Sequence, residues 1–250
     1  MSQSRTTLHA GPVAKGSLEV RLLGCVDLES ALFLQERLIY ELSGRSDTQG
    51  GLLLCEHPPM VTIGREGSRA DVLVESQELV SRQMDIHWLN RGGGTIVHAP
   101  GQLAVYPVVP LDRLGIGLDE YRRLLEECVI ATCSELRVPA WRFDDEPGVW
   151  CRLGQLAHVG IAVRSWVAYH GLFINVSPAM DLMRLVQSNN TGDRVTSLTT
   201  QRQRRTPMHA VREGLIRHLV ARLGYEQRFH VYTGHPLLRR TQRTVTVATG

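Results

Sequence analysis

The sequence predicts one α/β (α+β) domain built on a mixed β-sheet. Three observations lead there. At 250 residues the chain suits one large domain with a substantial core. No repeat, low-complexity tract or linker divides it. Strand-like runs follow one another in pairs and meanders with few helical stretches between, which disfavours a doubly wound sheet. The expected division is a flexible arm over 1–16, the folded domain over 17–231 and a basic tail over 232–250.

The elements follow from apolar periodicity. Leu18–Leu23 reads as a strand, and Leu32, Leu34, Leu38, Ile39 and Leu42 make Ala31–Leu42 a helix. Gly51–Glu56 is an apolar run of strand length that Pro58 and Pro59 must end. A strand restarts at Val61–Gly64, Ser76–Gln83 reads as a helix, and Asp85–Leu89 as a strand. Leu103–Val109 is an apolar strand. Asp119–Leu136 is the clearest amphipathic helix, with Tyr121, Leu124, Leu125, Val129, Ala131 and Leu136 apolar. Gly148–Arg152 and Leu156–Arg164 form a hairpin turning at Leu153-Gly154. Tyr169–Val176 is a further strand and Met208–Leu223 a late helix.

With 43% hydrophobic and 21% charged residues, the composition is that of a soluble globular protein. No apolar run approaches the roughly 20 residues of a membrane span. Met1–Thr7 lacks the apolar core of a signal peptide, so a cytoplasmic location is expected. The 5 cysteines are scattered, and none has CxxC spacing. That pattern fits reduced thiols and speaks against a disulfide framework or a structural zinc site. Lys15 is the only lysine among 28 basic residues. Arginine stays protonated, so the chain has almost no amine available for pKa-tuned catalysis.

The most informative stretch is Arg91-Gly92-Gly93-Gly94-Thr95-Ile96-Val97-His98, followed by Ala99-Pro100-Gly101-Gln102-Leu103. Consecutive glycines let a backbone lie close against a ligand. The run matches neither GxGxxG nor GxxxxGK[ST], so it is not a nucleotide fingerprint. It reads instead as a bare floor with Arg91, His98 and Gln102 around it. His98, His158 and His170 lie in or beside strands without the regular spacing of metal ligands, and no metal or cofactor is expected. Gly171, following His170 within a strand, marks a close backbone approach. Ser188 lies in the polar loop Gln187-Ser188-Asn189-Asn190-Thr191-Gly192, where ordinary turn chemistry is the competing account. Arg202, Arg204 and Arg205, with Arg239, Arg240 and Arg243, form late basic clusters. No aromatic residues interleave them, so nucleic-acid binding is not expected.

Several segments in order resemble the octanoyltransferases of lipoate biosynthesis, within the biotin/lipoate protein ligase superfamily. They are Glu56-His57-Pro58-Pro59, Thr62-Ile63-Gly64-Arg65, Arg91-Gly92-Gly93 through His98, and Pro100-Gly101-Gln102-Leu103 with Tyr106-Pro107. Next come Gly148-Val149-Trp150, Gly160-Ile161-Ala162-Val163-Arg164, Tyr169-His170-Gly171-Leu172 with Asn175-Val176, and Val195-Thr196-Ser197-Leu198. The resemblance runs from about residue 18 to 225.

It implies a biotin/lipoate protein ligase-like domain with a mixed sheet, a smaller sheet and flanking helices. It implies transfer of an octanoyl group from acyl carrier protein to a lysine of a lipoyl domain, in a 2-oxoacid dehydrogenase complex or a glycine-cleavage H protein, by a monomer. Arg91, Gly92, Gly93, Gly94, Thr95, Ile96, Val97, His98, His158, Val159, Gly160, Gly171, Leu172 and Phe173 would line the acyl pocket. Backbone N–H groups of the glycine floor would hold the thioester carbonyl.

The family's catalytic pair is a cysteine and a lysine. Gln155 stands at the lysine position. Counting back from Val195 puts Ser188 at the cysteine position, and counting forward from Asn175 gives Asn189. Ala99 replaces a family glycine. Two readings follow. One is an acyltransferase of altered chemistry, with Ser188 as nucleophile and His98 or His170 as base, or with direct transfer between aligned substrates. The other is a non-catalytic descendant, a pseudoenzyme, that binds the acyl group, its carrier or the lipoyl domain.

Overall fold

The computed structural model describes residues 15–188, 192 and 194–238. In chain order the elements are β1 (Leu18–Cys25), α1 (Leu28–Ser43), β2 (Gly50–Glu56), β3 (Met60–Ile63), α2 (Ser76–Ser81), β4 (Ile86–Trp88) and β5 (Thr95–His98). Then follow β6 (Gln102–Pro110), α3 (Leu111–Leu114), α4 (Leu118–Glu135), β7 (Ala140–Trp141), β8 (Gly148–Cys151), β9 (Gly154–Arg164) and β10 (Val167–Asn175). The chain continues through α5 (Met180–Met183), α6 (Leu198–Arg202), α7 (Met208–Arg222) and β11 (Phe229–Thr233). A 3-10 turn at Arg69–Asp71 precedes α2.

Among the described residues an 8-stranded sheet runs in the order β11-β1-β2-β6-β10-β9-β8-β7, and a 3-stranded sheet in the order β4-β3-β5. The large sheet is mixed: β1 pairs parallel with β2 and β11, and the strands from β2 to β7 pair antiparallel. The expected mixed sheet with a smaller companion is therefore the observed one. The β9–β10 hairpin turns on Ser165 and Trp166, whose φ values of 51° and 61° make a two-residue turn of the type that matches strand twist.

Helices cover both faces of the large sheet, and β6 shows how. All of its residues are buried. Leu103, Val105 and Val109 join Tyr121, Leu125, Leu215 and Leu219 of α4 and α7 on one side. Ala104 and Tyr106 join Ala31 and Leu34 of α1 on the other. Alternate side chains point to opposite faces of a strand, so a strand between two helical layers must be apolar throughout. The small sheet has its own core, in which Val61, Ile63 and Val97 pack with Leu79, Met183 and Leu185.

Most boundaries agree with the sequence reading within a few residues. Helix α1 begins earlier than expected because the Asp27 side chain caps it, accepting from Ser30 N at 2.7 Å. Strand β5 occupies the second half of the stretch read as a bare floor. Strand β11 runs to Thr233, across the expected start of the tail at 232. Cys55, Cys128, Cys133 and Cys151 are buried. No helix among the described residues is long and apolar enough to cross a membrane. The arm before Lys15, Asn189, and Arg239, Arg240 and Arg243 lie outside the described residues.

Candidate functional site

Arg91 is fully buried, and it organises the polar interior beneath the glycine run. Its Nη2 donates to Thr62 O at 3.0 Å and to Thr62 Oγ1 at 2.8 Å, and its Nη1 donates to Gly92 O at 3.0 Å. A guanidinium only donates, so the Thr62 hydroxyl proton is left for His98 Nε2, 2.8 Å away. His98 Nδ1 then carries the ring proton and donates to Gln102 Oε1 at 2.8 Å. Gln102 Nε2 donates in turn to Val97 O and Asn175 Oδ1, both at 3.0 Å. Burial, with His57 and Arg91 nearby, pushes the His98 imidazole well below its ordinary range. The relay therefore holds His98 neutral with both nitrogens occupied.

The glycines serve this packing first. A Cβ on Gly64 would lie 2.2 Å from Gly93 O, and one on Gly160 would lie 2.4 Å from Gly92 O. Backbone thus lies directly on backbone, with Gly92 N donating to Ile161 O at 2.9 Å. Gly93 (φ +79°) donates its N–H to a Glu66 carboxylate oxygen. At Gly171 the close approach is likewise internal, because a Cβ there would lie 2.2 Å from Val105 O of the neighbouring strand.

Above the glycines is a cavity of about 280 Å³, walled by Gly93, Gly94, Ile96, Gln155, His158, Val159, Gln187 and Ser188, with Glu66, Asp71, Asp145, Glu146 and Pro147. That volume is near the lower bound, roughly 300 Å³, of small-molecule sites. Gln155 is set in place by its backbone. Its N donates to Arg194 O at 2.8 Å, and its O accepts from Thr196 N at 2.9 Å. Its Nε2 lies 2.6 Å from where a Gly148 Cβ would stand, so Gly148 makes room for it. The segment leading to Ser188 is pinned by the Val72–Val186 bridge and by Gln187 N donating to Asp71 O at 2.8 Å. Ser188 Oγ is buried and has no hydrogen-bond partner among the described residues. A buried polar atom without a partner is uncommon and calls for an explanation.

Gln155 and Ser188, which the resemblance sets against the family pair with Asn189 as the alternative to Ser188, thus line one cavity, and carry an amide and a hydroxyl. Neither His98 nor His170 hydrogen-bonds Ser188 among the described residues. His158 shares the cavity wall, where burial, with Arg91 adding, pushes its imidazole down to about 3. His170 falls to about 3 for the same reasons, with Arg65 also contributing. Both are neutral at pH 7 and weak as bases.

Of the residues expected to line an acyl pocket, Gly93, Gly94, Ile96, His158 and Val159 reach the cavity. Arg91 and His98 lie beneath it in the relay. Thr95 Oγ1 donates to Asp71 Oδ2 at 2.7 Å. Val97 and Leu172 belong to cores, and Phe173 supports His98 edge-on at 4.7 Å between ring centroids. Gly92, Gly160 and Gly171 make the backbone contacts described above. Sequence reasoning missed Thr62 and the carboxylates Glu66, Asp71, Asp145 and Glu146. Thr62 alone had a signal, since it opens the Thr-Ile-Gly-Arg segment.

A family model, the lipoyl protein ligase A/B catalytic domain, matches residues 27–220. The octanoyltransferase of Geotalea uraniireducens is 37% identical over 180 residues, covering 72% of this chain and 80% of that protein. The octanoyltransferase of Syntrophotalea carbinolica is 40% identical over 159 residues, covering 64% of this chain and 72% of that one. The chain belongs to this family, among its octanoyltransferases. The family's fold is also seen in solved structures. A lipoate-protein ligase A bound with ATP superposes with a TM-score of 0.67 at 18% identity, covering 89% of this chain and 90% of that one. A bipartite lipoate protein ligase from Thermoplasma acidophilum, studied with its E2 lipoyl domain, gives 0.69 at 19% identity, covering 89% and 88%. These two likenesses concern the fold alone.

Proposed function

We propose that this octanoyltransferase-family chain takes an octanoyl group from acyl carrier protein into the cavity and passes it directly to a lysine of a lipoyl domain. The observation that carries this reading is Ser188 Oγ, buried and without a hydrogen-bond partner among the described residues, on the wall of the cavity that Gly94 also lines. A hydroxyl with no base in hydrogen-bond reach is a poor nucleophile. It is a competent donor to the oxygen of a tetrahedral intermediate. In direct transfer the lysine amine attacks the thioester carbon and a C–N bond forms. The C–S bond breaks, the carrier leaves as its thiol, and the amine proton passes to the departing sulfur. The carboxylates at the cavity rim, Asp145 and Glu146, favour the approach of a cationic lysine.

The test is octanoyl transfer by the purified protein, followed by intact-mass spectrometry. Octanoylated lipoyl domain is expected without an octanoyl adduct on the chain. Ser188→Ala is expected to slow turnover about 100-fold, the usual scale for losing one such donor. An octanoyl ester on Ser188 would replace direct transfer with a nucleophilic serine.

Gln155 in place of an amine favours a second reading, in which the pocket binds but does not turn over. Binding of octanoyl-pantetheine with no transfer would establish it. Restoring Ser188→Cys with Gln155→Lys would then be expected to create activity. No binding at all would sink both readings.

A further inference from the structure

On the outer side of the segment that carries Ser188 lies a second groove, about 550 Å³, walled by Leu153, Met180, Arg184, Arg194, Val195 and Thr200 among others. Its charge is one-sided. Arg184 and Arg194 line the groove, and the described parts of the segments that carry its wall, 152–155, 180–188 and 194–205, add Arg152, Arg202, Arg204 and Arg205. Their single carboxylate, Asp181, already faces Arg82 at 3.7 Å. Several arginines elsewhere are ion-paired, as Arg37 with Glu41, Arg45 with Asp47, Arg122 with Glu126 and Arg217 with Glu135; those left unpaired elsewhere among the described residues, such as Arg137 and Arg212, are not gathered around one groove. Neither Arg184 and Arg194 nor the four arginines beside them have an ion-pair partner among the described residues. The Arg202 guanidinium is pushed below its ordinary range, by burial first and by the neighbouring Arg204 second. All but Arg202 are exposed.

Like charges gathered without counter-charges cost stability and stay solvated until an opposite surface arrives. The cavity has the reverse character, with carboxylates and, among the described residues, no arginine or lysine in its wall. The two regions are joined by the backbone, since Arg194 O accepts from Gln155 N and Gln155 lines the cavity.

We infer that the groove around Arg184 and Arg194 docks a protein with a carboxylate-rich surface, and that this partner is the carrier that delivers the acyl group. The inference rests on the acyl-transfer reading above for the partner's role, and on the unmatched arginines for its chemistry. A carrier seated there is held by the segment that ends at Ser188, so its thioester arm has a short route to the cavity. A lysine acceptor then meets the acidic rim, and the two substrates are sorted by charge.

The test uses the full chain and three probes: octanoyl-loaded acyl carrier protein, octanoyl-pantetheine and a single-stranded oligonucleotide. Wild type is expected to bind the loaded carrier with an affinity that falls as salt rises. Arg184→Glu with Arg194→Glu is expected to weaken carrier binding on the order of tenfold or more while octanoyl-pantetheine binding is unchanged. A control reversal at Arg37, remote in the fold on α1, should leave both unaltered, and circular dichroism confirms folding of each variant. Unchanged carrier affinity in the double variant overturns the docking site. Oligonucleotide binding as tight as carrier binding, and lost in the same variant, overturns the choice of partner. The acyl reading fails separately, if wild type binds octanoyl-loaded and unloaded carrier equally and ignores octanoyl-pantetheine.

Discussion

Glu126 Oε1 accepts a hydrogen bond from Gly148 N at 3.0 Å, and through it the long helix α4 fixes the strand that makes room for Gln155. The carboxylate is completely buried, and Arg122 Nη1 reaches it at 3.0 Å. Burial raises its pKa, against the lowering effects of the Gly148 N–H and Arg122.

Removing this carboxylate is expected to be costly. Glu126→Ala leaves the Gly148 N–H and the Arg122 guanidinium without their acceptor, and a loss of about 3 kcal/mol in urea unfolding follows. Glu126→Gln keeps one acceptor and removes the charge. A carboxyl whose pKa is raised by folding is stabilising when protonated, and loses that contribution as pH rises through its folded value. The stability difference should therefore move in favour of Glu126→Gln as pH rises from about 4 to about 7.

The buried imidazoles should make the protein acid-sensitive. Unfolded histidine takes up a proton near its ordinary value of 6.5, whereas His158 and His170 resist until about 3. Between those limits the unfolded state binds more protons, so stability is complete above 6.5 and declines as pH falls. Each imidazole should contribute roughly 1.4 kcal/mol per pH unit over that interval. Urea titrations at several pH values should show the slope, and His158→Gln should reduce it by one imidazole's share. An unchanged slope would mean that His158 takes up its proton in the folded state.

Two glycines of the site should respond differently to the same methyl group. Gly160→Ala places a Cβ 2.4 Å from Gly92 O and is expected to destabilise the chain by about 2 kcal/mol or more. Gly94→Ala meets its nearest atom, Ser188 O, at an ordinary 3.7 Å. Its stability should stay within about 0.5 kcal/mol of wild type. Its methyl narrows the cavity, so calorimetry should show weaker octanoyl-pantetheine binding.

Thr62 is the hinge of the relay between Arg91 and His98. Thr62→Val keeps the shape but leaves His98 Nε2 without its donor, at a cost of about 1–3 kcal/mol. Thr62→Ser retains the hydroxyl and should recover most of that loss in thermal unfolding.

How far the sequence discloses this architecture depends on where the determining contacts lie. Helix α4 shows in the apolar pattern because its burial follows the helical period, and strands β6, β9 and β10 because they are long, nearly continuous buried runs. The α3, α5 and β7 segments are too short to establish a period, and β11 is largely exposed. The parallel neighbours of β1 come from distant parts of the chain, and no local pattern encodes that pairing. The same holds at the site. Gly93, Gly94 and Ser188 line one cavity; the resemblance pointed to Ser188, and the glycine run was legible as a bare backbone floor. The burial of Arg91 was not, because a cationic residue before three glycines reads equally well as the wall of a pocket. Only the position of Thr62 across the small sheet turns it into an interior donor.

Residues 155 and 188 are located by main-chain atoms: Gln155 through Arg194 and Thr196, and Ser188 through the bridge at Val186 and the bond from Gln187 to Asp71. Main-chain bonds are indifferent to what hangs from the chain. A route that exchanges thiol for hydroxyl and amine for amide at these two addresses would therefore leave the placement of both residues undisturbed. The same route runs backwards, and it is two codons long.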